Sequence, residues 1–137
     1  MAKYSQEAWY HDYLHKQMEK YGDFPPPYVL APDEHPLSMF WRMGGGESHL
    51  MVFFEWFESQ FKTHEAKIEY LLKWPIPPCW FGWVVETIWP ISDDVTRAME
   101  KGEEYDYSPY FEKLTAYGFR NTDKFEADFN DERWFNN

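Results

Sequence analysis

The sequence predicts a mainly α fold: a single compact helical domain spanning residues 1–137, with five to six helices around one long central helix at about 47–73, proline-rich connectors and little or no sheet. Three observations predict it. Apolar residues recur at steps of three and four in one segment after another, and no stretch of useful length alternates as a half-buried strand does. Glycines and prolines stand where those segments stop. The chain of 137 residues, 44% of them hydrophobic, is about one domain and can bury a core without staples. No shift in composition marks a second domain.

The first helix is expected at 5–21. Tyr10, Tyr13, Leu14, Gln17, Met18 and Tyr21 share a face, and Gly22 follows as a C-terminal stop. The opposite face carries Glu7, His11, His15 and Glu19 at four-residue steps. Two histidines at i and i+4 can grip a metal from one helix, but a zinc enzyme adds an acid and a third ligand at fixed spacing. His11-Asp12-Tyr13-Leu14-His15 lacks that pattern, so His11 and His15 are weak metal candidates on what reads as a solvated face.

Residues 22–36 read as a loop, because Pro25, Pro26, Pro27, Pro32 and Pro36 remove donors and forbid helix. Pro25-Pro26-Pro27-Tyr28 resembles the Pro-Pro-x-Tyr ligands of WW domains, but so short a match often arises by chance, and a stiff connector is the preferred reading. The apolar segment 35–43 reads as a short helix or a strand-like lead-in.

Gly44-Gly45-Gly46 reads as an irregular break, since glycine loses the most backbone freedom on ordering. A glycine turn before a helix can cradle phosphate, but this one lacks both the P-loop ending and the dinucleotide pattern. Glu47 moreover stands where the anion would sit. The glycines are otherwise a hinge, or they let another backbone approach closely. The central helix follows. Leu50, Phe53, Phe54, Phe57, Phe61, His64, Ile68, Leu71 and Leu72 form its apolar stripe, opposite Glu55, Glu58, Lys62, Glu65 and Glu69. At 1.5 Å per residue it would be ~40 Å long. Glu58 with Lys62 and Glu69 with Lys73 are expected i,i+4 pairs. His64 is expected as a hydrogen-bonded core histidine.

Trp74-Pro75-Ile76-Pro77-Pro78 stops that helix. Residues 79–89 are apolar on nearly every side, which fits a helix that is buried or lies under a partner. A short helix is expected from Ser92, capped by Ser92-Asp93-Asp94 and closed by Gly102. Ser108-Pro109 starts another, ended by Gly118, and Thr122-Asp123 opens a last one carrying Phe125 and Phe129. Trp134-Phe135 suggests a tail that docks.

Composition narrows the function classes. The net charge of −11 argues against nucleic acid and against an anionic membrane, which both need basic patches. The single cysteine, Cys79, excludes an internal disulfide and reads as a small buried hydrophobe. The N-terminus lacks the apolar core of a signal peptide and no run approaches the ~20 residues of a membrane span, so a cytoplasmic protein is expected. No nucleophile elbow occurs, and no Glu is followed three residues later by His, which excludes the usual di-metal bundle site. No catalytic residue and no cofactor is assigned.

What remains is the aromatic load: 8 Trp, 10 Tyr and 12 Phe are more rings than one such core readily encloses. Residues 93–137 hold twelve acids against six bases, in less than half the length over which 1–92 holds twelve against seven. These features point to a small acidic protein-binding module, an inhibitor or an immunity-type or regulatory protein. It would hold a basic partner through exposed aromatics inside an acidic rim. The expected contact residues are Glu103, Glu104, Tyr105, Asp106, Tyr107, Trp80 and Trp89. In composition the chain resembles small acidic inhibitors of toxins or nucleases and immunity proteins, with no motif in common. The alternatives are a structural subunit of a larger assembly and an enzyme whose site is assembled only in space.

Overall fold

The computed structural model describes residues 6–89, 101 and 106–134. All regular structure among them is helical, which is the mainly α class expected from the periodicity. The described residues divide into two compact units, one ending at Pro75 and the other beginning at Ile76.

The first unit holds four α-helices: α1 (Ala8–Tyr21), α2 (Pro27–Leu30), α3 (Gly44–Gln60) and α4 (His64–Leu72). A 3₁₀ turn, Met39–Arg42, precedes α3. Helix α1 ends as its sequence demands: Gly22 takes the left-handed conformation, φ 84°, and its N–H donates to the Met18 carbonyl. The proline loop contains α2, one turn started by Pro27, where a missing N–H costs nothing.

The long central helix is two helices. Helix α3 stops at Gln60 and Phe61 is extended, φ −119°. Thr63 then caps α4, its Oγ1 accepting from the Ala66 N–H at 3.1 Å. The break lets Phe61 turn back among Trp56, Phe57 and Tyr70, at 5.5, 5.3 and 5.0 Å between ring centroids. It also redirects the expected ion pairs. Lys62 Nζ donates to the Glu58 carbonyl at 3.0 Å, and the Glu58 carboxylate pairs with Lys67 across the break at 3.1 Å. Lys73 pairs with Asp23 at 3.3 Å rather than with Glu69.

The triple glycine is no loop but the first turn of α3. Gly44 sits at φ 61°, in the left-handed region. Gly46 lies against the 3₁₀ turn so closely that a Cβ there would stand 2.2 Å from the Phe40 carbonyl oxygen. Of the readings considered for these glycines, close approach of another backbone is the one that fits.

The core of this unit is aromatic. Helix α3 buries Gly46, His49, Val52, Phe53, Trp56 and Phe57, a stripe rotated from the expected one. Phe54 faces outward and Trp56 inward. Phe24 and Tyr28 from the proline segment and Tyr70 from α4 close around them, all within 1% of full burial. The Tyr70 hydroxyl donates to the Phe24 carbonyl, and Tyr28 reaches the Trp74 carbonyl at 3.4 Å.

The second unit contains the 3₁₀ turn Pro78–Trp80, α5 (Phe81–Ile88), α6 (Ser108–Tyr117), a 3₁₀ turn Thr122–Lys124 leading into α7 (Phe125–Phe129), and a last turn Glu132–Trp134. The helix expected from Ser92 lies outside the described residues. Ser108 is the first helical residue of α6 rather than its cap, and Asp106 Oδ1 accepts from its N–H at 3.0 Å. Gly118 closes α6 at φ 111°. Cys79, Trp80, Phe81, Val84, Val85, Ile88, Leu114 and Phe119 are buried. Gly82 leaves room for the Phe125 ring, whose nearest atom would lie 3.1 Å from a Cβ. Asp128 fastens the last described turn: it accepts from the Cys79 N–H at 2.9 Å and from Arg133, and its carbonyl takes the Trp134 indole N–H at 2.7 Å. Trp134 thus docks as expected, whereas Phe135 lies outside the described residues.

Candidate protein-binding surface

The residues expected to grip a partner meet different fates. Glu103, Glu104 and Tyr105 lie outside the described residues. Asp106 is exposed, with its carboxyl held below the usual carboxylate range by the Ser108 N–H. Tyr107 is half-buried: its ring stacks on Phe111 at 5.6 Å and its hydroxyl donates to Glu86 at 3.0 Å. Burial holds that Glu86 carboxyl above its usual value. Trp80 is buried, at 1% exposure, and so presents no ring for contact from outside. Its place in the Cys79-Trp80-Phe81 run, where consecutive side chains enter the core from a tight 3₁₀ turn, explains the difference. Trp89 is half-buried, tilted on Tyr110 at 5.4 Å, with the Lys113 ammonium 5.4 Å from its ring.

Apolar exposure lies elsewhere. Leu37, Met39 and Met43 are each about 60% exposed, on seven consecutive residues around the 3₁₀ turn before α3. Trp41 in the same segment is the buried member, its indole N–H donating to the His35 carbonyl at 3.1 Å. Phe54 on the outer face of α3 and Trp9 on α1 are also exposed. Sequence reasoning read 35–43 as apolar but could not tell which of its side chains turn in. Proline at 36 and a turn of three residues per repeat leave no 3.6-residue period to follow.

Pro25-Pro26-Pro27-Tyr28 is buried throughout, which removes it as a ligand for a partner groove and leaves the connector reading. His11 and His15 are both exposed, and no cluster of three metal-ligating side chains forms among the described residues. An open cleft is lined by Ser108, Phe111, Glu112, Thr115, Thr122 and Asp123. No described helix is long and apolar enough to cross a membrane.

The core histidine is His49, not His64. His64 opens α4 at the surface, where the break turns the stripe away from the core. His49 is fully buried and stacked on Phe24, with centroids 4.9 Å apart and planes 12° from parallel. Its Nε2 lies 3.0 Å from the Pro25 carbonyl, which can only accept, so Nε2 carries the proton. Nδ1 is therefore the acceptor for the Tyr13 hydroxyl at 2.5 Å. Burial lowers the imidazole to about 4 despite the carbonyl bond, and raises the Tyr13 phenol to about 12. Both are neutral near pH 7.

No family model matches the chain, and no curated protein or solved structure matches it. Its fold class is mainly α, argued from its own helices.

Proposed function

We propose that this chain is an acidic protein-binding module of the inhibitor, immunity or regulatory kind, acting in the cytoplasm on a basic protein partner. The observation that carries the reading is Leu37, Met39 and Met43, three large apolar side chains turned outward on one short segment of a protein of net charge −11. Scattered exposed apolar residues are ordinary; several on seven residues form the kind of anchor an interface buries. The chain's excess of acid supports long-range attraction of a cationic partner and discourages anionic ones. Glu103, Glu104, Tyr105, Asp106, Tyr107 and Trp89 stay among the proposed contact residues. The apolar anchors move from Trp80 to the segment before α3.

The test is affinity capture from the native host, followed by titration of the purified chain with each captured protein. A basic protein that binds at a defined stoichiometry, and more weakly as salt rises from 50 to 500 mM, supports the reading. Binding indifferent to salt, or a partner that is itself acidic, overturns it. Self-association with no captured partner would favour a structural subunit instead.

A further inference from the structure

We propose that docking of α1 on the first unit is gated by protons through the Tyr13–His49 hydrogen bond, so that acidification releases α1 while α3 stays folded. Helix α1 has a single fully buried residue, Tyr10, and the rest of its inner face is only half-buried, which makes it the less firmly held kind of element. Tyr13 meets the Phe24 ring edge-on at 6.0 Å and donates to His49 Nδ1, and Leu14, Gln17, Met18 and Tyr21 are half-buried beside it. The joint at its end is Gly22.

The geometry leaves no room for a second proton on His49. Nε2–H is committed to the Pro25 carbonyl, and a proton on Nδ1 would confront the Tyr13 O–H donor. The groups packed around the ring are neutral. Tyr13 comes from α1; Pro25 and the Phe24 ring come from the proline segment. The nearby Asp23 carboxylate is already engaged by the Phe24 N–H and by Lys73. Tyr70 of α4 gives its hydroxyl to Phe24, Tyr28 gives its own to Trp74, and Glu55 of α3 acts on Tyr10 rather than on the ring. None supplies a negative charge to stabilise an imidazolium.

The sign follows from linkage. With α1 docked the imidazole titrates near 4, and with α1 displaced and the ring wetted it returns toward its ordinary 6.5. The displaced state therefore binds the extra proton between those values. Docking is fully present above about pH 6.5 and weakens about tenfold per pH unit below it, to a limit of about 300-fold near pH 4.

Hydrogen exchange on the full chain from pH 7 to 4.5, corrected for intrinsic chemistry, tests this. Amides of Ala8–Tyr21 are expected to lose protection about tenfold per unit below pH 6, while those of α3 and α5 hold. In His49→Gln, whose amide donates to Pro25 without titrating, the slope should vanish. An α1 protection that does not change with pH, or the same slope in His49→Gln, overturns the proposal. Should that variant fail to fold by circular dichroism, NMR of the wild-type protein decides. Ring signals of His49 that move together with loss of α1 protection support the gate, and a ring that titrates while α1 stays protected overturns it.

Discussion

Gly46 and Gly45 are neighbours of one type with opposite tolerances. A methyl on Gly46 would collide with the Phe40 carbonyl and ring, at 2.2 and 2.7 Å, and backbone does not give way as a flexible side chain does. Gly46→Ala should cost about 1–3 kcal/mol, the usual range for overpacking. Around Gly45 nothing lies within 4 Å, and it is exposed in the first turn of a helix. Gly45→Ala should be neutral or stabilising by up to about 1 kcal/mol, because alanine restricts the unfolded chain. Paired thermal melts check this, and equal effects would mean that Phe40 does not pack there. Cys79 makes a separate prediction. Burial and the Asp128 carboxylate push its thiol up to about 12, so at pH 8 almost no thiolate exists and little of it is reachable. Thiol reagents should label native protein only as fast as the second unit opens, and at full speed in denaturant.

At the scale of elements, the first unit turns on the break at residues 61–63. Thr63 Oγ1 satisfies one of the orphan N–H groups that α4 acquires by starting afresh. Thr63→Ala should therefore cost about 1 kcal/mol, read as a lower urea midpoint at unchanged slope. Had α3 and α4 been one continuous helix, position 63 would be interior and alanine would stabilise it. The apolar spacing through 50–72 made helix legible here, and the Gly22, Gly118 and proline stops were legible too, because each rests on a local backbone constraint. The break was not legible. Phe61, Lys62 and Thr63 carry no proline or glycine, and what ends α3 is the return of Phe61 into the rings of Trp56 and Tyr70. Such contacts are tertiary and invisible to periodicity. The break also takes His64 off the core, whereas His49 turns inward on the rotated stripe of α3 itself. In the second unit the apolar run at 79–89 announced burial, but not that Trp80 would be enclosed while Trp83 and Trp89 stay half-buried.

Across the whole molecule, charge and apolar exposure make separable contributions to the proposed binding. Long-range attraction by the acidic excess acts on encounter and is screened over about 8 Å at physiological ionic strength. Desolvation of apolar side chains acts after encounter and sets how long the complex lasts. Two sets of substitutions should therefore fail in different ways. Reversing Glu103, Glu104 and Asp106 to lysine should leave the melting temperature near wild type, since Asp106 is exposed and its described hydrogen bonds are to the neighbouring Ser108. It should slow association by about tenfold at low salt and leave dissociation little changed. Replacing Leu37, Met39 and Met43 with serine should keep the association rate and its salt dependence but speed dissociation by tenfold or more, because side chains about 60% exposed hold little of the fold together. Surface plasmon resonance against the captured partner at two salt concentrations separates the two outcomes. If the serine variant binds with wild-type dissociation, the segment before α3 is not the anchor. If the lysine variant associates at the wild-type rate, the acidic loop does not face the partner.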